Sequence, residues 1–126
     1  MYSLAIQRKF AARHFLVGGD WGPENCPHAH QYRLEVEVSG PDLDSHGYLV
    51  DIVDMEMRLE KILGTYEDKL LNEQPSFAGL NPSIEHFARI ITDDFLRQGV
   101  LSNIGAIRVR IWENDQAWAS YLREFQ

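Results

Sequence analysis

The run His28-Ala29-His30-Gln31-Tyr32-Arg33-Leu34-Glu35-Val36-Glu37-Val38 constrains the fold more than any other stretch. In extended backbone, residues i and i+2 project to the same side. The even positions carry His28, His30, Tyr32, Leu34, Val36 and Val38; the odd ones carry Gln31, Arg33, Glu35 and Glu37. Such alternation predicts a strand with one face buried. It also sets two histidines side by side at the end of the apolar face. Imidazole nitrogen is a favoured zinc ligand, so the pair reads as part of a metal site that needs a further ligand.

A second strand is predicted over residues 2–14. Tyr2, Leu4, Ile6, Phe10, Ala12 and His14 share one parity, with Arg8 as the exception. His14 closes that face and is the expected third ligand, provided no bulge shifts the register. Three protein ligands leave a coordination position open, as in catalytic rather than structural zinc sites. Between the two strands, residues 15–25 hold three glycines and a proline and read as a loop. Long loops held by rigid strands often carry function. Glu24 and Cys26 sit there, flanking the histidine pair. The plain reading of Glu24 is a solvated charge, and of Cys26 an inert thiol. A nearby metal would lower the thiol pKa.

After a turn at Pro41–Gly47, Tyr48-Leu49-Val50-Asp51 leads into a helix expected over 52–63. Ile52, Met55, Leu59, Ile62 and Leu63 are its buried stripe, Asp51 or Asp54 lies in its first turn, and Gly64 ends it. Residues 65–80 read as irregular. A second helix is expected from Asn81 as cap and Pro82 as its first residue, burying Ile84, Phe87, Ala88, Ile91 and Phe95. The third strand, 106–113, is apolar at Ile107, Val109 and Ile111, and Glu113 continues that series. A turn at 114–116 leads to a last strand over 117–122.

The order ββααββ predicts one α+β domain over residues 1–126, a four-stranded antiparallel sheet with both helices on one face. Glu113 has two readings. Either the strand has ended and the carboxylate is wet, or it awaits a ligand with paired N–H donors. Glu67, Asp68, His46 and His86 are further titratable groups, each read as structural on spacing alone.

Composition narrows the function classes. The chain has 126 residues, 44% hydrophobic and 25% charged, which fits a globular domain. A net charge of −7 argues against nucleic acid as a partner, since phosphate binding rests on clustered Lys and Arg. No run of ~18 apolar residues predicts a membrane span. The N-terminus lacks the order of a secretory signal, and a single cysteine cannot form an internal disulfide. A cytoplasmic location is expected.

These motifs, taken in order, resemble the 6-pyruvoyltetrahydropterin synthase and 6-carboxytetrahydropterin synthase family. The resemblance rests on His14, His28-Ala29-His30, Gly47-Tyr48-Leu49-Val50-Asp51, Asn81-Pro82-Ser83-Ile84-Glu85, and Glu113 followed eight residues later by Tyr121. It implies the tunnelling fold, in which ββααββ subunits join their sheets into a β-barrel as homotrimers or homohexamers. It implies Zn2+ held by His14, His28 and His30, Glu113 as the carboxylate that grips a reduced pterin, and lyase chemistry on the pterin side chain. The sequence also departs from the pattern. The family's catalytic cysteine position, four residues before His28, holds Glu24; the only cysteine is Cys26, two residues before. Ala29 replaces the usual glycine between the histidines. The family's Asp-His pair falls near Glu67-Asp68-Lys69, where there is no histidine and Asp68 is the candidate relay group. Glu24 is the favoured base and Cys26 the reserve. A carboxylate there resembles members that cleave dihydroneopterin to 6-hydroxymethyldihydropterin. The alternative is a zinc-holding pterin-binding homologue without synthase activity.

Overall fold

Tyr2–His14 (β1) and His28–Gly40 (β2) pair antiparallel along their whole length, from Tyr2 opposite Gly40 to His14 opposite His28. This is a computed structural model describing residues 1–125. Ala106–Trp112 (β3) pairs with β2, and Trp118–Glu124 (β4) pairs with β3, giving one antiparallel sheet in the order β1-β2-β3-β4. Two helices, Ile52–Tyr66 (α1) and Ile84–Arg97 (α2), connect β2 to β3. α1 lies over β1, and α2 lies over β3 and β4.

The alternation dictates which face is covered. Leu34, Val36 and Val38 of β2 and Ile107, Val109 and Ile111 of β3 are fully buried, together with Phe10 and Ala12 of β1. The opposite parity carries Glu35, Glu37 and Arg110, which pair with one another on the other face. The helices supply Met55, Leu59, Phe87, Ile91 and Phe95 to the core. Phe87 sits in an aromatic group, its ring 5.3–5.9 Å from those of Phe10, Tyr32, Tyr66 and Phe77. Each such side chain contributes about 1.5–3 kcal/mol by leaving water. Arg8, the parity exception, faces α1 and pairs with Glu56 and Glu60.

The expected elements are present, with shifted ends. Asp51 caps α1 by accepting from Val53 N. Gly64 does not end the helix, which runs on to Tyr66, because Leu63 and Tyr66 are both buried and anchor one more turn. The left-handed backbone that stops it falls instead at Asp68, with φ 60°. Ile52, expected in the buried stripe, is exposed at the helix start. α2 is capped by Ser83, whose Oγ accepts from His86 N, and not by Asn81. Asn81 is engaged elsewhere: its Oδ1 accepts from Val17 N at 3.0 Å. β3 ends at Trp112, one residue early, and β4 extends two residues further than expected.

Candidate metal centre

His14 and His28 face one another at the last rung of the β1–β2 ladder, and His30 lies two residues along β2. The shared parity turns all three rings to the helix-covered side. Their ring centroids lie 4.6–5.0 Å apart, edge to face. One nitrogen from each lies within 4.8 Å of the others, a spacing able to hold a metal ion.

The surroundings decide which nitrogens face inward. Nδ1 of His14 lies 3.0 Å from the carbonyl of Pro82, and Nδ1 of His28 lies 2.9 Å from that of Cys26. A carbonyl only accepts, so each Nδ1 carries the proton and each neutral ring leaves a bare lone pair on Nε2. Metal-binding histidines are commonly oriented in this way. The Nε2 atoms of His14, His28 and His30 are all buried and have no hydrogen-bond partner among the described residues. Three unpartnered buried imidazole nitrogens, two of them bare lone pairs, are costly unless a cation binds among them. The donor set therefore fits a zinc-like ion with an open position.

His14 is 2% exposed, and burial is the main cause that pushes its imidazole below the usual value. The Pro82 hydrogen bond and Glu113 oppose that shift, while His30 and His28 add to it. The neutral, metal-competent form is favoured. Tyr32 closes the site from beneath, its hydroxyl 3.3 Å from His14 Nδ1. Its own pKa is raised by burial and, secondarily, by Glu113.

Glu113 lies just past the end of β3, where its backbone N–H donates to Ala117 O. One carboxylate oxygen comes within 3.2 Å of His30 Nε2 and 3.8 Å of His14 Nε2. The closer approach lacks hydrogen-bond geometry. The side chain is 32% exposed, and neither oxygen accepts a hydrogen bond among the described residues. The structure thus brings together four of the seven residues singled out from the sequence: three histidines and Glu113.

The other three lie outside this cluster. Glu24 belongs to a single 3-10 turn, Gly22–Asn25, and is exposed without an ion-pair partner among the described residues. Cys26 is exposed just after it. Asp68 stands on the far side of β1, its N–H donated to Ala11 O. His46 is in an exposed turn, and His86 Nδ1 contacts Asn81 O.

Two supporting groups were not legible as such. Pro82 orients His14 through its carbonyl. Asn72 clamps the next residue, its Oδ1 accepting from Phe15 N and its Nδ2 donating to Phe15 O, both at 2.9 Å. The Asn81-Pro82 pair is visible in the sequence, where its residue types point to a helix start and not to a support for His14.

Comparison with known proteins speaks to the family and the fold. A family model described as 6-pyruvoyl tetrahydropterin synthase matches residues 3–124. The 6-carboxy-5,6,7,8-tetrahydropterin synthase of Bacillus subtilis (strain 168) is 29% identical over 100 residues, 74% of this chain and 66% of that protein. The chain thus spans just under two thirds of that relative's length. The solved structure of Caenorhabditis elegans 6-pyruvoyl tetrahydropterin synthase superposes with a TM-score of 0.80 at 19% identity, covering 96% of each chain. A Plasmodium vivax 6-pyruvoyltetrahydropterin synthase, solved with a catalytic glutamate replaced by alanine, gives a TM-score of 0.81 at 13% identity over 98% of each chain. At these identities the two structures speak for the fold. With the family model matched from the start of β1 to the end of β4, the chain belongs to the 6-pyruvoyl tetrahydropterin synthase family.

Proposed function

We propose that this protein is a zinc-dependent lyase acting on the side chain of a reduced pterin. One observation carries the reading: the Nε2 atoms of three histidines are buried without partners among the described residues, and one nitrogen of each ring lies within 4.8 Å of the others, beside the Glu113 carboxylate. His14, His28 and His30 would hold the ion. Bound there, zinc supplies Lewis-acid polarisation of oxygen atoms on the pterin side chain. Glu113 accepts from the amino and ring N–H groups of the pterin, a paired charge-assisted contact that fixes orientation.

A base is needed to take a proton from the side chain. Glu24 is that base: it is a carboxylate four residues before His28, unpaired among the described residues and accessible. The Plasmodium vivax relative also carries a catalytic glutamate. Cys26 is the reserve and Asp68 a relay group at greater remove. In this reading residues 1–126 form one pterin-synthase-like domain, cytoplasmic, joining through the free edges of β1 and β4 into a barrel-forming trimer or hexamer.

A carboxylate in place of a thiol also favours a second reaction, cleavage of dihydroneopterin to 6-hydroxymethyldihydropterin. The two are separated by incubating the zinc-loaded protein with dihydroneopterin triphosphate and with dihydroneopterin, and analysing products. Release of triphosphate supports the synthase reading, and formation of 6-hydroxymethyldihydropterin supports the cleavage. Binding of both pterins without turnover overturns the enzyme and leaves a pterin-binding homologue. Glu24→Ala should lower turnover about a hundredfold or more, to a still measurable residual rate, while zinc stays bound; unchanged turnover removes Glu24 from the mechanism.

A further inference from the structure

The segment between β1 and β2 is tied together by one side chain. Asn25 Nδ2 donates to Leu16 O and to Gly19 O, each at 3.0 Å, and its Oδ1 accepts from Trp21 N at 2.7 Å. A backbone bond from Leu16 N to Glu24 O, 2.9 Å, closes the loop at its base. Two glycines make the path possible, Gly18 with φ 87° and Gly22 with φ 62°. The Trp21 ring lies on Gly19 so closely that a Cβ there would come within 2.6 Å of it. Asn25 therefore bonds both members of that contact. Its three partners lie four to nine residues back along the chain, so the turn bearing Glu24 is held from within.

Glu24 itself gains nothing from this network through its side chain. Among the described residues no hydrogen bond or ion pair fixes its carboxylate. Its location is set by its backbone, whose carbonyl accepts from Leu16 N and whose N–H donates to Trp21 O, and by the neighbouring Asn25. An exposed carboxylate can serve as a base only if its backbone delivers it repeatedly to the same place. A misplacement of about 1 Å is enough to cost on the order of a hundredfold in rate.

We infer that Asn25 is the positioning residue for Glu24, holding the loop so that the carboxylate is delivered to the pterin side chain. This rests on the proposed role of Glu24 as base. Among the described residues Asn25 makes no hydrogen bond to the histidines or Glu113, and it takes no part in the chemistry.

The test is a double-mutant cycle on the zinc-loaded protein with dihydroneopterin triphosphate and dihydroneopterin as substrates. Asn25→Ala should lower kcat about tenfold to a hundredfold. KM, zinc content and circular dichroism should stay as in wild type. Asn25→Ser, which retains one short polar group, should fall between. Amide exchange at Leu16 and Trp21 should quicken in Asn25→Ala, while Phe10 and Leu34 stay protected. The Glu24→Ala Asn25→Ala protein should be no slower than Glu24→Ala alone. Additive losses in the double variant overturn the inference, as does full kcat in Asn25→Ala while Glu24→Ala is slowed. Full activity of Glu24→Ala, or turnover of neither pterin by wild type, overturns the base reading and this inference with it.

Discussion

His14 and His28 are direct cross-strand partners, and their rings meet at 4.6 Å and 70° across the final rung of the β1–β2 ladder. Their spacing is thus a property of strand register and not of a loop. A slip of one residue would carry one of the two rings to the other face of the sheet. The register is pinned by the buried rows beneath it, Phe10 with Tyr32 and Ile6 with Val36.

The first prediction concerns His28. Zinc should bind the wild-type protein at about one ion per chain, as three converging imidazoles require. His28→Ala should lose the ion on dialysis yet keep its far-ultraviolet circular dichroism and a cooperative melt. His28 is only half-buried at the mouth of the sheet, whereas the core lies below Tyr32. Unfolding of the variant would instead make the ion a structural staple.

Glu113→Gln separates binding of the pterin from binding of the metal. Amide replaces carboxylate without a change of shape, and the charge-assisted component is lost. Affinity for neopterin by calorimetry should drop by about 1.5–3 kcal/mol. Zinc content should be unchanged. Equal loss of both would place Glu113 among the metal's ligands.

Acidification acts on His14. Burial holds its imidazole below the ordinary value of 6.5 in the folded chain. Between about 6.5 and that lower value, the unfolded chain binds the extra proton and the folded chain does not. Metal-free protein should therefore be most stable above about pH 6.5 and lose stability as the pH falls through the folded value. Urea titrations at several pH values should show this slope in wild type and a weaker one in His14→Gln. Zinc affinity should fall once the pH drops below that lowered folded value, since only neutral imidazole binds.

Phe87 links the core to the site. Its ring touches Tyr32, which in turn lies against His14 and His30. Phe87→Ala should cost about 3–5 kcal/mol in denaturant unfolding. Phe87→Leu should cost far less. Zinc affinity should weaken in the alanine variant, because the support under His14 is lost.

The sequence spoke clearly wherever the signal was periodic. Alternation defined β1 to its terminal residues and placed His14, His28 and His30 on one face. The same parity argument singled out Glu113, which lies beside that group. Where side chains bond to distant backbone, periodicity is silent. Asn81 resembled a helix cap because asparagine before proline usually is one, yet its acceptor is used by Val17. Gly64 resembled a stop, but Tyr66 two residues on has a buried place and a hydrogen bond to Asp94 that extends the helix. Asn25 carried no pattern at all, because a hub of loop hydrogen bonds needs only reach.

The tract from Asp68 to Asn72 lies alongside the upper part of β1, through Asp68 N to Ala11 O, Arg13 N to Lys69 O and the Asn72 clamp on Phe15. That border of the sheet is consequently already occupied near its histidine-bearing tip, and only the lower stretch offers unmatched amides. A neighbouring molecule prolonging the sheet there must pair below the tip, so the rung that carries His14 keeps its place through contacts made within its own chain.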